Sequence, residues 1–210
     1  MTPSMEAEGL HFSRGGGLHL QDVSIVLEAG EVIILQGANG TGKSTLLELL
    51  AGVNKASRGT IRMSGAEVTD WPLPRRASAG LGYLPQGSCL VPGLDVWSNI
   101  ALSGASDQDL QEMVETLGLS ELIDRPVTRL SGGERRRVEL ARCLVRPNAV
   151  WLLDEPLWGL DTAQAEAVKG CLEQRVSEGA SVLIADPRAE WGESLEVTRV
   201  ELRAGRLYAA

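Results

Sequence analysis

Three short clusters carry residue types and spacings that suit phosphate chemistry. Gly37, Ala38, Asn39, Gly40, Thr41, Gly42, Lys43, Ser44 and Thr45 run through the pattern G-x-x-x-x-G-K-[ST] at every fixed position. Glycines let a backbone wrap closely enough for its N–H groups to hold phosphate oxygens, and a helix opening there adds a favourable dipole. Lys43 is then expected to reach the β- and γ-phosphates of a nucleotide, and Ser44 to offer its hydroxyl to Mg²⁺. The second cluster is the apolar run Val150-Trp151-Leu152-Leu153, which ends in Asp154 and Glu155. Beside a phosphate-binding loop, Asp154 would hold Mg²⁺ through water and Glu155 would orient or deprotonate an attacking water. The third is Leu130-Ser131-Gly132-Gly133-Glu134. Serine followed three residues later by glutamate is a capping box for a helix, and as a lone pattern that reading is sufficient.

These clusters need elements to hold them. Glu31 to Gln36 is a short continuous apolar run of the kind buried on both faces of a parallel sheet, and Ser44 to Ala51 favours helix. Upstream, Gly9 to Phe12 and Leu20 to Leu27 read as strands around a glycine turn at Gly15-Gly16-Gly17. From about Leu90 to Val145 the pattern turns helical: a helix capped by Ser106 and ended by Gly118, a short turn from Ser120 to Asp124, and a helix from Glu134 to Val145 stopped by Pro147. Sheet-like segments return at Ala149 to Leu153 and Ser181 to Ala185 with a helix from Thr162 to about Ser177 between them, and Val197 to Tyr208 reads as a closing hairpin. Strand, helix and strand in this order predict an α/β parallel core with a helical insertion.

The motifs, in this order and running through nearly the whole chain, resemble those of ABC ATPases. The resemblance implies a P-loop NTPase (RecA-like) core over residues 1–85 and 146–210, with an N-terminal antiparallel β-subdomain, and an inserted α-helical subdomain over 86–145. It implies ATP and Mg²⁺ as cofactors and assigns Ser131, Gly132, Gly133 and Glu134 to the γ-phosphate of a neighbouring subunit's nucleotide. Two subunits, identical or unequal, would pair head to tail around two ATP molecules. Phe12, the only phenylalanine, falls where the family has an adenine-stacking aromatic, with a core role as the alternative. Gln86 matches the glutamine that touches Mg²⁺ or water. Asp161 matches the acid at the dimer seam, although it is equally suited to capping the helix that follows. The motifs around Gln86 and Ser131 look most like those of lipopolysaccharide-export and branched-chain amino-acid ATPases, and the chain's size is similar to haem-exporter ATPases. Transmembrane permease subunits are the implied partners, contacting Gln86 to Ile100; Leu90, Val91, Leu94, Val96 and Trp97 in that stretch suit either docking or packing beneath the insertion. An assembly or nucleotide-sensing subunit without transport is the alternative function.

Composition agrees with one globular ATPase domain. The chain has 210 residues, a formal net charge of −8 and 43% hydrophobic residues, a balance that disfavours a nucleic-acid partner. Its longest apolar runs fall far short of the ~20 residues needed to span a bilayer, and the acidic N-terminus lacks an apolar leader. The expected address is cytoplasmic, peripheral on the inner face of the cell membrane. Cys89, Cys143 and Cys171 are expected to be reduced and near the core, and Arg135-Arg136-Arg137 to form a solvated helix face paired with Glu134 and Glu139.

One departure stands out. The family has a histidine just after the strand that here is Ser181 to Ala185, yet this chain reads Asp186-Pro187-Arg188 there. Proline can neither donate nor accept a side-chain hydrogen bond. Binding is expected to survive and turnover to be slow, unless Asp186, Arg188 or a partner chain compensates.

Overall fold

The computed structural model describes residues 2–14, 17–187, 191 and 196–209. In chain order the elements are β1 (Met5–Arg14), β2 (Gly17–Leu27), β3 (Val32–Gln36), α1 (Lys43–Ala51), β4 (Arg58–Met63), β5 (Ala66–Glu67), α2 (Leu73–Ser78), β6 (Leu81–Leu84), α3 (Val96–Ala101), α4 (Asp107–Thr116), α5 (Gly132–Leu144), β7 (Val150–Asp154), α6 (Thr162–Ser177), β8 (Ser181–Ala185), β9 (Val197–Arg203) and β10 (Arg206–Ala209). They form two compact units, residues 1–83 with 148–155 and 176–210, and residues 84–147 with 156–175.

The first unit holds two sheets. The smaller has strand order β2-β1-β4-β5 and is antiparallel, as its alternating N-terminal residues predict. The larger has order β10-β9-β3-β8-β7-β6. Within it β3, β8 and β7 are parallel, with Leu35 opposite Ala185 and Asp154 also opposite Ala185. That register brings the C-terminal ends of three strands to one edge of the sheet, where ligands of open α/β sheets bind. Burial on both faces explains the unbroken apolar runs: every residue of β7 and β8 is buried.

Helix α1 packs against β7 and β8. Leu46, Leu47, Leu49, Leu50 and Ala51 are fully buried and join one core with β1, β2, β3 and β8. Its C-terminal end is held by Arg76 of α2, 1% exposed. The guanidinium donates to Leu49 O (2.9 Å) and Leu50 O (2.7 Å), and also to Trp71 O and Thr69 O. A cation there satisfies helix-end carbonyls and complements the negative end of the dipole. Burial lowers the Arg76 pKa to about 10, so it stays charged at neutral pH.

In the second unit, α3 packs on both α4 and α5. Ser106 caps α4 and Asp95 caps α3, each accepting from a backbone N–H three residues on. Val96 is buried, Val91 is exposed, and Leu90, Leu94 and Trp97 are half-buried, so the apolar stretch before α4 divides between core and surface. Among the described residues, no helix is long and apolar enough to cross a membrane.

Candidate nucleotide site

The loop between β3 and α1 takes the conformations that its glycines permit. Gly37 has φ 141°, and a Cβ there would lie 2.5 Å from Leu202 O, so this position requires glycine. Thr41 closes a turn by donating from Oγ1 to Ala38 O at 2.9 Å. Lys43, 7% exposed, places its ammonium inside the loop and donates to Gly37 O (2.7 Å) and Ala38 O (3.1 Å). Gly42, in a left-handed conformation, precedes α1 without a side-chain cap. The first N–H groups of α1, at Lys43, Ser44 and Thr45, have no carbonyl one turn below them and point out of the helix end. A concave run of N–H groups, a helix dipole and one ammonium suit a polyphosphate.

The neighbouring strand ends supply the acids. Asp154 closes β7 and is 2% exposed. Glu155 follows with φ 46°, a left-handed conformation that costs a non-glycine residue roughly 1–2 kcal/mol and is concentrated at functional positions. Its N–H donates to Ala185 O at 2.8 Å, which fixes the turn. One residue further along the adjacent strand, the Asp186 N–H donates to Leu35 O at 3.3 Å. The backbone of Asp186 thus lies between the strand that enters the phosphate loop and the turn that carries Glu155. Asp186 is 8% exposed and Pro187 is exposed; Arg188 lies outside the described residues. Tyr83, on β6, was not singled out by its sequence. It is half-buried, and burial together with the charges of Glu48 and Asp154 raises its pKa, which keeps the phenol neutral.

Phe12 is half-buried and packs against the core of the first unit, with its ring centroid 6.3 Å from that of His19. Gly15 and Gly16 of the expected turn lie outside the described residues.

The second unit carries the serine-glycine turn. Ser131 caps α5: its Oγ accepts from the Glu134 N–H at 3.3 Å, and the Ser131 N–H donates to Glu134 Oε2 at 2.7 Å. These bonds hold the Glu134 carboxyl below its ordinary range. Ser131 and Gly132 are exposed, and Gly133 has no room for a side chain, since a Cβ would lie 2.7 Å from Gly159 O. Asp161 is exposed and caps α6 by accepting the Gln164 N–H at 2.9 Å, while Gln164 Oε1 accepts the Asp161 N–H. Gln86 is exposed in the loop that follows β6.

The basic run departs from the expected solvated face. Arg135 is exposed, but Arg136 is 5% exposed and pairs with the equally buried Glu139 at 3.1 Å. Arg137 turns to Leu117 O and Gly118 O. Glu134 pairs instead with Arg125, at 3.6 Å. Helix α5 is packed on several sides, so its long cations reach inward to backbone carbonyls. Cys89, Cys143 and Cys171 are half-buried; burial pushes Cys143 up to about 12 and also raises Cys89 and Cys171.

Known proteins resemble this chain at both sequence and structure level. The profile of the ABC transporter family matches residues 20–158. A probable ABC transporter ATP-binding protein of Azorhizobium caulinodans is 38% identical over 191 residues, which is 87% of this chain and 68% of that protein. The molybdate/tungstate import ATP-binding protein WtpC of Archaeoglobus fulgidus is 46% identical over 134 residues, 61% of this chain, and the match spans 55% of its length. A solved ATP-binding subunit of an ABC transporter superposes with a TM-score of 0.88 at 23% identity, over 98% of this chain and 88% of that one, and shows the shared fold.

Proposed function

This chain belongs to the ABC transporter family, and from that premise we propose that it is the ATP-hydrolysing subunit that energises a membrane transporter by closing as a dimer around ATP. The observation that carries the reading is the alignment of three parallel strand ends, which gathers the Lys43 loop, Asp154 with Glu155, and Asp186 at one sheet edge. The loop N–H groups and Lys43 bind and orient the β- and γ-phosphates. Glu155 positions the attacking water and takes its proton. Within the first unit the donors suit Mg²⁺, since a first-turn hydroxyl at Ser44 and a buried carboxylate at Asp154 are both hard oxygens. When bound, Mg²⁺ would supply charge neutralisation to the phosphates.

Each chain carries one phosphate loop and one exposed Ser131 turn. In the proposed dimer, Ser131 and the N–H groups of Gly132 and Gly133 cap the γ-phosphate held by the other subunit, and Asp161 lies at the seam. Phe12 stacks on the adenine. Hydrolysis removes the shared anion and shifts the pair toward the open state. The partner ATPase subunit is a second copy or an unequal relative, and permease subunits hold the dimer at the inner face of the membrane. Pro187 makes turnover slow in this reading, because a missing transition-state donor costs on the order of 10²–10³ in rate. That same residue favours a second reading, a nucleotide-sensing or assembly subunit without transport.

The test is recovery of Glu155→Gln chain from membranes solubilised in detergent with Mg-ATP. A multi-span membrane protein recovered with it is the expected result. Recovery of a water-soluble assembly partner in its place would overturn transport coupling and favour the second reading.

A further inference from the structure

The pairing of β1 with β2 sets two rings side by side in the first unit. Its register steps from Phe12 opposite Leu20 to Ser13 opposite Leu18, so His19 is the extra residue of a β-bulge. Regular alternation would send the His19 side chain to the face away from Leu20 and its partner Phe12. A bulge re-aims a side chain, and bulges are common next to active sites. Here the His19 ring centroid lies 6.3 Å from that of Phe12, with the planes tilted by 44°, within the range of an aromatic pair. Phe12 is half-buried against the core, whereas His19 is exposed.

The backbone of His19 is pinned from two distant parts of the chain. A Cβ at Gly42, the residue that precedes α1, would lie 3.3 Å from His19 O, and one at Gly205, in the turn between β9 and β10, would lie 2.5 Å from the same oxygen. Both glycines leave the room that this carbonyl fills. Beside it the Gln21 N–H donates to Gly205 O at 2.8 Å, and Arg206 Nη2 donates to Gln21 Oε1 at 3.3 Å. The bulge is thus built onto the last glycine of the Lys43 loop, and the ring it carries stands next to a cradle for phosphates. A ring pair in that position suits the flat base of a nucleotide whose phosphates the loop holds.

We propose that His19 is a specificity-determining residue: its imidazole is a second ring beside Phe12 that contacts the base and favours purine over pyrimidine triphosphates. A single aromatic ring stacks on any base, because every base has a π-face. With a second ring 6.3 Å away, a bicyclic purine stacked on Phe12 reaches His19 as well, and the single ring of a pyrimidine falls short of it. This rests on the reading of Phe12 as the base-stacking residue, and the two fail separately in the test below.

The test measures binding of ATP, CTP and inorganic tripolyphosphate to the full-length chain by calorimetry, with EDTA present so that nothing is hydrolysed. Wild type, His19→Ala, His19→Phe and Phe12→Ala are compared. Wild type should bind ATP more tightly than CTP. His19→Ala should lose roughly fivefold in ATP affinity, as for one aromatic contact, with tripolyphosphate affinity unchanged and the preference over CTP largely lost. His19→Phe, which keeps a ring, should retain most of that preference. Equal losses for ATP and tripolyphosphate would mean that His19 only shapes the phosphate loop through Gly42, and would overturn the proposal. So would an ATP affinity that His19→Ala leaves unchanged. If Phe12→Ala keeps the wild-type ratio of ATP to tripolyphosphate affinity while His19→Ala lowers it, the Phe12 reading fails and His19 is supported as a base contact; the reverse result removes His19 alone. Should His19→Ala not fold, His19→Leu against His19→Phe gives the same outcomes.

Discussion

At the scale of single residues, the site combines a left-handed backbone at Glu155 with a proline two residues beyond the neighbouring strand. Glu155 keeps an unfavourable φ because its N–H is tied to Ala185 O, and the residue after Ala185 leads directly to Pro187. In the proposed reading, this backbone is where a γ-phosphate donor would be presented, and the proline side chain there is not one that can donate. Replacing Pro187 with histidine is therefore expected to raise the steady-state ATPase rate by at least tenfold, toward the 10²–10³ that one such donor supplies. Phosphate release measured with and without the substitution checks this. An unchanged rate, with the new ring seen beside the γ-phosphate in a nucleotide-bound structure, would discard the explanation.

Among the elements, α1 depends on both of its ends. Its N-terminal end is left open toward ligand, and its C-terminal carbonyls are closed by Arg76. Arg76→Ala would leave the Leu49 and Leu50 carbonyls, at buried hydrogen bonds, and the Thr69 and Trp71 carbonyls, at part-buried ones, without their guanidinium partner. Each unsatisfied group costs about 1–3 kcal/mol, so a loss of at least ~3 kcal/mol is expected. For a chain of this size that corresponds to a fall of roughly 6–12 °C in thermal midpoint. Arg76→Lys should recover only part, because a single ammonium cannot match a planar fork of five donors. Thermal unfolding of both variants decides the matter, and equal midpoints for Ala and wild type would refute it.

For the whole molecule, one phosphate loop and one Ser131 turn per chain lead to a complementation test. A Lys43→Ala chain keeps its Ser131 turn, and a Ser131→Arg chain keeps its Lys43 loop. Neither should associate in ATP alone. A mixture contains pairs with one intact shared site, so ATP-dependent dimers should form only on mixing, as read by light scattering in a Glu155→Gln background. Failure of the mixture to associate, while the unmodified Glu155→Gln chain does so, would show that the two segments do not serve one nucleotide.

Motifs that act through contiguous backbone were legible from the residues alone. The Lys43 loop, the Ser131 capping box and the strand ending in Asp154 each depend on neighbours within a few positions, so local spacing carried them into the fold. Helices α4 and α5 followed likewise from Ser106, Gly118 and Pro147. Other features depended on partners distant in sequence. The inward turn of Arg136 needs Glu139 and Pro85 O, the fourfold hold of Arg76 needs carbonyls from two separate segments, and the approach of Asp186 to the phosphate loop needs the β3–β8 register. A run of arginines looks the same in sequence whether it faces water or backbone. Tertiary packing alone decides, because a cation is drawn inward only where carbonyls and a carboxylate are already arranged to replace its hydration.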